Sequence, residues 1–317
     1  MDTNKNCLYV KINDNSYIDK LKSTFALIKQ INPEVLINFL NEKNQKGQEE
    51  NIIEINISGS IENAINVYVK HVLSADNKNF KCINNINKTK EITINIKTEE
   101  ICEFFKAFQS NALLSMYMYN EFDTLYLQEQ VDKTTIEKKI QTLEKKYGMQ
   151  NTKINIKENT IKARVIINTE KLCNLLKKRF KKSASCISIR LTKDEIRFET
   201  NNSSSMQSIS SPLSIVCQKS NDLNIEILDK NIEIIQSNYS YESLEFLKNV
   251  KFQYYVNATI LFAKLKSNTK NDNYVMQFVY SGAGEKINDD IIKITVYPCL
   301  INDQYDQYDN NNQIEYN

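Results

Sequence analysis

The sequence predicts an α+β fold of two similar domains, each with antiparallel sheets and two short helices. Two observations predict it. Strand-type runs that alternate apolar and polar residues dominate, and four helix-like segments interrupt them at intervals of roughly 70 residues. A helix with one apolar stripe and a sheet with one wet face bury each other, so each repeat reads as a helix laid on a sheet.

The strand signal is clearest at 52–57 (IIEINI), 92–96 (ITINI), 187–198 (ISIRLTKDEIRF, with a turn inside) and 291–296 (IIKITV). Period-2 alternation of β-branched residues suits sheets with one solvated face. The helices are expected to start at Asn32-Pro33-Glu34, Thr98-Glu99-Glu100, Thr169-Glu170 and Ser240-Tyr241-Glu242. There an N-cap side chain accepts from an orphan N–H, and an early acid suits the helix dipole. Pro33 suits a first helical position. Apolar residues follow at helical spacing: Val35, Leu36, Phe39 and Leu40; Ile101, Phe104, Phe105 and Phe108; Leu172, Leu175, Leu176 and Phe180; Leu244, Leu247 and Val250.

The polar stretch 144–159 reads as a connector between domains at 23–143 and 160–303. Residues 1–22 read as an N-terminal extension, and 304–317 as a disordered polar tail.

Composition excludes several classes. The 317 residues carry 41 Lys+Arg against 39 Asp+Glu, so any basic surface must be local. A single His and scattered cysteines without CxxC argue against a multi-histidine metal site, a zinc ribbon and a thioredoxin motif. The cysteines are expected to be reduced, buried thiols of an intracellular protein. No long apolar run suggests a transmembrane helix or signal peptide, and no membrane partner is expected.

Enzymatic motifs are weak. The run 281–286 (SGAGEK) lacks Walker spacing and reads as a hairpin turn. Adjacent acids, Asp289-Asp290 and Glu99-Glu100, do not converge on one centre. His71 reads as a surface or hydrogen-bonded strand histidine, and Cys173 as a core thiol despite nearby cations. The reading is a non-enzyme without cofactor or metal.

The third helix concentrates charge. Lys171, Lys177, Lys178, Arg179, Lys181 and Lys182 fall largely off its apolar stripe. Cations so placed meet phosphates without reading bases, and Lys106, Lys248 and Lys251 in or beside two other helices would join them. The first expected helix adds only Lys43 and Lys46, at its end. A merely solvated helix face is the competing reading.

The order of elements over 23–303 resembles a DNA sliding clamp of the proliferating cell nuclear antigen superfamily. The strings that carry the resemblance are Thr24-Phe25-Ala26, Phe80-Lys81-Cys82, 91–96 with the helix from Thr98, Asp123-Thr124-Leu125-Tyr126-Leu127, 161–165 before Thr169, 187–190 with 195–198, 241–250, Val275-Met276-Gln277-Phe278 and Val296-Tyr297-Pro298-Cys299-Leu300. The family's serine-histidine turn in domain 1 is answered by 59–69, with no match for its histidine.

The resemblance implies two clamp domains whose helices line a central hole, and a ring closed by edge-to-edge strand pairing as a homotrimer or heterotrimer. Such a ring is a processivity factor: it encircles double-stranded DNA and tethers a DNA polymerase or repair enzymes in replication and repair. Its partners would be a clamp loader and clients that insert an apolar peptide plug. The plug positions are Tyr147, Met149, Ile154 and Ile156 on the connector, with Tyr297, Pro298 and Leu300 at the C-terminal exit. These residues equally suit packing into the protein's own sheets. Location would be nuclear, or a viral replication site. The rival readings are a subunit of a heterotrimeric DNA-damage checkpoint clamp, a viral processivity or late-transcription factor, and a clamp-fold scaffold without sliding activity.

Overall fold

The computed structural model describes residues 6–43, 47–58, 65–73, 79–83, 89–109, 111–119, 123–144, 156–179, 186–201, 214–250, 255–265, 273–281 and 291–299. The chain divides into two compact units. One holds Met1–Ser58, Val67–Asn151 and Asn288–Ile291; the other holds Gly59–Asn66, Thr152–Ile287 and Ile292–Asn317. Each strand is described below with the unit that contains most of it.

The first unit runs β1 (Asn6–Ile12), α1 (Asn15–Ile28), β2 (Glu34–Lys43), β3 (Glu49–Ser58), β4 (Ile65–Leu73), β5 (Phe80–Cys82), β6 (Glu91–Lys97), α2 (Thr98–Ala107), β7 (Leu113–Tyr119), β8 (Thr124–Val131) and β9 (Thr134–Gln141). The second runs β10 (Ile161–Asn168), α3 (Thr169–Arg179), β11 (Cys186–Leu191), β12 (Glu195–Asn201), β13 (Ser214–Gln218), β14 (Leu223–Ile227), β15 (Ile235–Ser240), α4 (Tyr241–Glu245), β16 (Asn257–Lys264), β17 (Tyr274–Ser281) and β18 (Ile291–Val296).

The two units repeat each other strand for strand. The order β5-β1-β7-β8-β9 in the first becomes β14-β10-β16-β17-β18 in the second, and β4-β3-β2-β6 becomes β13-β12-β11-β15. Partners run antiparallel, as in β1–β7, β2–β6, β10–β16 and β11–β15. The repeat expected from the sequence is therefore present, and so are the strands expected at 52–57, 92–96, 187–198 and 291–296.

One element differs. The helix expected from Asn32 is the strand β2. Val35, Ile37 and Phe39 alternate as core residues, and this period-2 set competes with the period-3.6 set over the same ten residues. Asn32 Oδ1 accepts from Glu34 N at 2.9 Å, a local turn that leads into a strand and caps no helix. The helix of this repeat lies earlier, at α1. Asp14 caps it, with Oδ1 accepting from Ser16 N at 2.9 Å and Tyr17 N at 3.4 Å. Residues 6–22, read as an extension, thus form β1 and the start of α1, and Thr24-Phe25-Ala26 is helical.

The cap chemistry also differs from expectation. Thr98 is the first residue of α2, and its Oγ1 donates to Asn32 O at 2.9 Å. Ser240 precedes α4 without a side-chain cap bond, and α3 is capped by Asn168, whose Oδ1 accepts from Lys171 N at 3.2 Å. The early acids Glu99, Glu100, Glu170 and Glu242 stand in the first turns as expected.

Helix pairs anchor each unit's core. Phe25 of α1 stacks on Phe105 of α2 with ring centroids 5.0 Å apart, and Phe104 and Phe108 pack around them. In the second unit Leu172, Cys173 and Leu176 of α3 meet Leu244, Leu247 and Val250, all buried. Cys173 Sγ lies 3.6 Å from Leu247 O. Leu175, expected in the stripe, is only half-buried because it sits at the stripe's margin, and Phe180 lies outside the described residues. His71 of β4 is fully buried, with Nε2 3.1 Å from Thr24 Oγ1 and Tyr17 edge-on to its ring.

Truncating the central pair measures this core. Phe105→Ala should cost about 3–5 kcal/mol and Leu176→Ala about 2–5 kcal/mol in urea unfolding, with Leu175→Ala well below Leu176→Ala. Asp14→Ala should cost about 1 kcal/mol by removing the cap.

Candidate nucleic-acid interface

Helix α3 separates apolar from basic residues. Leu172, Cys173 and Leu176 point into the core, while Lys171, Asn174 and Lys177 are exposed. This follows from the sequence TEKLCNLLKKR, which puts residues three and four apart on one face. Lys178 and Arg179 end the helix. Their side chains, and Lys181, Lys182 and Lys251, lie outside the described residues. Lys171 forms an exposed ion pair with Asp222. Lys177 has no carboxylate within ion-pair distance among the described residues.

The other helices are electrostatically self-matched. On α2, Glu99 faces Lys29 at 3.9 Å, Glu100 faces Lys97 at 3.8 Å and Glu103 faces Lys138 at 3.1 Å. Lys22 of α1 donates to Phe108 O at 2.8 Å. Lys248, in the 3-10 turn Phe246–Asn249 that follows α4, pairs with Glu245. Lys106 is exposed at the end of α2 without an ion pair among the described residues. Of the nine cations singled out by the sequence, Lys106 and Lys177 thus stand solvated, and Lys171 and Lys248 are matched. Such exposed pairs are worth little and exchange readily for phosphate.

Two sheet edges form a second feature that sequence reading missed. β9 ends one sheet and β13 another. Each carries a large exposed apolar side chain, Ile136 at 51% and Val216 at 42%. The signal in the sequence was Ile136 amid the charged residues of the strand TTIEKKIQ, whose other isoleucine, Ile140, is buried.

The expected plug positions are only partly described. Tyr147, Met149, Ile154 and Leu300 lie outside the described residues, as do 282–290 with the glycine-rich turn. Ile156 and Tyr297 are half-buried, and Pro298 is buried. Cys299 follows on the edge of β15, its N–H donating to Asn238 O at 2.7 Å. A hydrogen bond shared by the Cys186 and Cys299 thiols lowers the pKa of Cys299 and raises that of Cys186. Burial pushes Cys7 and Cys102 up to about 11 and Cys82 up to about 12, and it also raises Cys173 against the opposing charge of Lys177. The expectation of uniformly buried thiols is therefore corrected: Cys186, Cys217 and Cys299 are half-buried. Among the described residues no group of three or more His, Cys, Asp or Glu is placed to hold a metal, and no helix is long and apolar enough to cross a membrane.

No protein-family model and no curated protein matches the sequence. The fold does match. A crystal structure of proliferating cellular nuclear antigen from Entamoeba histolytica superposes on 93% of this chain and 100% of its own, with a TM-score of 0.65 at 14% identity. The chain has the α+β sliding-clamp fold.

The thiols give a direct reading of this geometry. The Cys186–Cys299 pair should alkylate with iodoacetamide ahead of Cys7, Cys82, Cys102 and Cys173, whose thiols burial holds protonated, as read by peptide mass spectrometry. The rate should drop as pH falls, because the reacting thiolate is protonated.

Proposed function

We propose that this protein is a DNA-encircling clamp that tethers a polymerase or repair enzyme. The observation that carries the reading is α3: an apolar stripe anchored in the core with Lys171 and Lys177 exposed on the other side, followed in the sequence by Lys178, Arg179, Lys181 and Lys182, within a fold of the sliding-clamp type. Cations on a rigid helix bind phosphates without reading sequence, which permits movement along the duplex. A tether needs no bond-making step, because it acts through effective concentration. The plug positions at the connector and at Tyr297, Pro298 and Leu300 are the client site of this reading. Ring closure joins β9 of one copy to β13 of the next, which covers Ile136 and Val216 and satisfies both edges.

A heteromeric ring is the second reading. The ion-matched faces of α2 and α4 favour it, since such a chain supplies only part of a basic lining. A checkpoint-type ring is one form of it.

Replacing Lys177, Lys178, Lys181 and Lys182 with Ala should weaken duplex binding equally across sequences. The log–log salt slope should shrink by roughly 0.9 for each phosphate that is no longer neutralised. An unchanged affinity and slope removes DNA from the role of α3. Sedimentation equilibrium tests closure. The 36.9 kDa chain should self-associate, and Ile136→Asp or Val216→Asp should return it to monomer. A monomeric wild type that binds no duplex alone favours the heteromeric reading.

A further inference from the structure

The face of the β5-β1-β7-β8-β9 sheet opposite its helices carries an aromatic row. On the core side Leu8 and Val10 of β1, Leu114, Met116 and Met118 of β7, and Leu125 and Leu127 of β8 are buried. Strand alternation therefore turns Tyr9, Tyr117, Tyr119 and Tyr126 to the other side. The register sets Tyr9 opposite Tyr117, Tyr117 opposite Tyr126, and Tyr126 opposite Lys139. Lys81 of β5 lies opposite Tyr9 and extends the row to the far edge.

The rings are mutually braced. Tyr117 and Tyr126 stack with centroids 4.9 Å apart and planes within 5°. Tyr119 stands across both, at 77° to Tyr117 and 74° to Tyr126, and is 41% exposed. Lys139 Nζ lies 5.4 Å from the Tyr126 ring centroid, and the Tyr117 hydroxyl donates to Glu137. Burial and that bond raise the Tyr117 pKa, so the hydroxyl stays protonated. The strand residues of this face carry Lys11, Lys81 and Lys139 against Glu137, whose carboxylate already serves Tyr117.

We infer that this sheet face is a binding site for single-stranded nucleic acid, with Tyr119 stacking an unpaired base, Lys139 meeting a phosphate at the level of the stacked tyrosines and Lys11, opposite Ser115 further along the row, meeting another. The charge excess selects an anionic partner. The braced ring selects one with flat π-faces, since base–aromatic stacking tolerates any base and loses little entropy when the ring is already fixed. A duplex hides those faces, so this site is distinct from the one proposed on α3.

The test is anisotropy titration of the full chain with a labelled oligo-dT of about twelve nucleotides, a duplex of the same length and poly-aspartate; the oligo-dT spans the site size of a single-strand groove. Tyr119→Ala should weaken oligo-dT binding about 5–150-fold while leaving duplex binding unchanged, and Tyr119→Phe should retain it. Lys11→Gln with Lys139→Gln should lower the salt slope for oligo-dT. Because Tyr119 is exposed, circular dichroism should report a native fold in each variant. Equal oligo-dT affinity in wild type and Tyr119→Ala overturns the proposal. So does poly-aspartate binding that is abolished in the lysine variants and kept in Tyr119→Ala, which would make the face an acidic-polypeptide surface. The quadruple Ala variant of α3 separates the sites: oligo-dT binding that remains Tyr119-dependent there stands even if duplex binding fails.

Discussion

Burial of a helix pair against sheet organises each unit. Phe25 on Phe105 in the first unit, and Leu172 and Leu176 against Leu244 and Leu247 in the second, fix which way each helix turns. Once that side is chosen, the charged residues of the helix face away from it, while small hydroxyls such as Thr24 and Ser243 are buried. The exposure of Lys171 and Lys177 on α3 is thus a consequence of core packing. A floppy helix would lose entropy on meeting phosphate, whereas an anchored one does not.

Electrostatic matching then selects which cations stay available. Lys29, Lys97 and Lys138 around α2 are paired with Glu99, Glu100 and Glu103, each contributed by the helix itself, while Lys106 stands solvated. These exposed pairs add little stability, so their effect is on the field over the surface. The chain's small net charge conceals this division between a balanced α2 and a basic α3. A protein can be nearly neutral overall and still present phosphate-binding surface, provided its acids are used elsewhere.

The strand edges follow a parallel logic. Repetition of one topology leaves β9 and β13 at sheet ends. Edges of this kind either pair or invite aggregation, and each of these two carries an exposed apolar side chain, Ile136 or Val216. On the sheet of β9, the tyrosine cluster and Glu137 brace that strand from its solvent side while Lys138 ties it to Glu103 of α2. The edge is thereby held in a fixed conformation from both faces.

The α+β class, the repeat, three of its four helices and the apolar stripe of α3 at Leu172 and Leu176 are legible in short windows of sequence. These are local signals: an apolar period, an early acid and a run of cations can be read without knowing what lies opposite. The same windows misplace the first helix, because Val35, Leu36, Ile37 and Phe39 satisfy both periods, and only pairing with β3 and β6 selects the strand. Long-range packing is what gives Lys171 to Asp222, a residue 51 positions away, and brings Cys186 to Cys299 within the second unit. It is also what assembles Tyr9, Tyr117, Tyr119 and Tyr126 from three strands into one cluster. Such contacts depend on register between distant segments, and register is set by the summed burial of whole strands, which no short window contains.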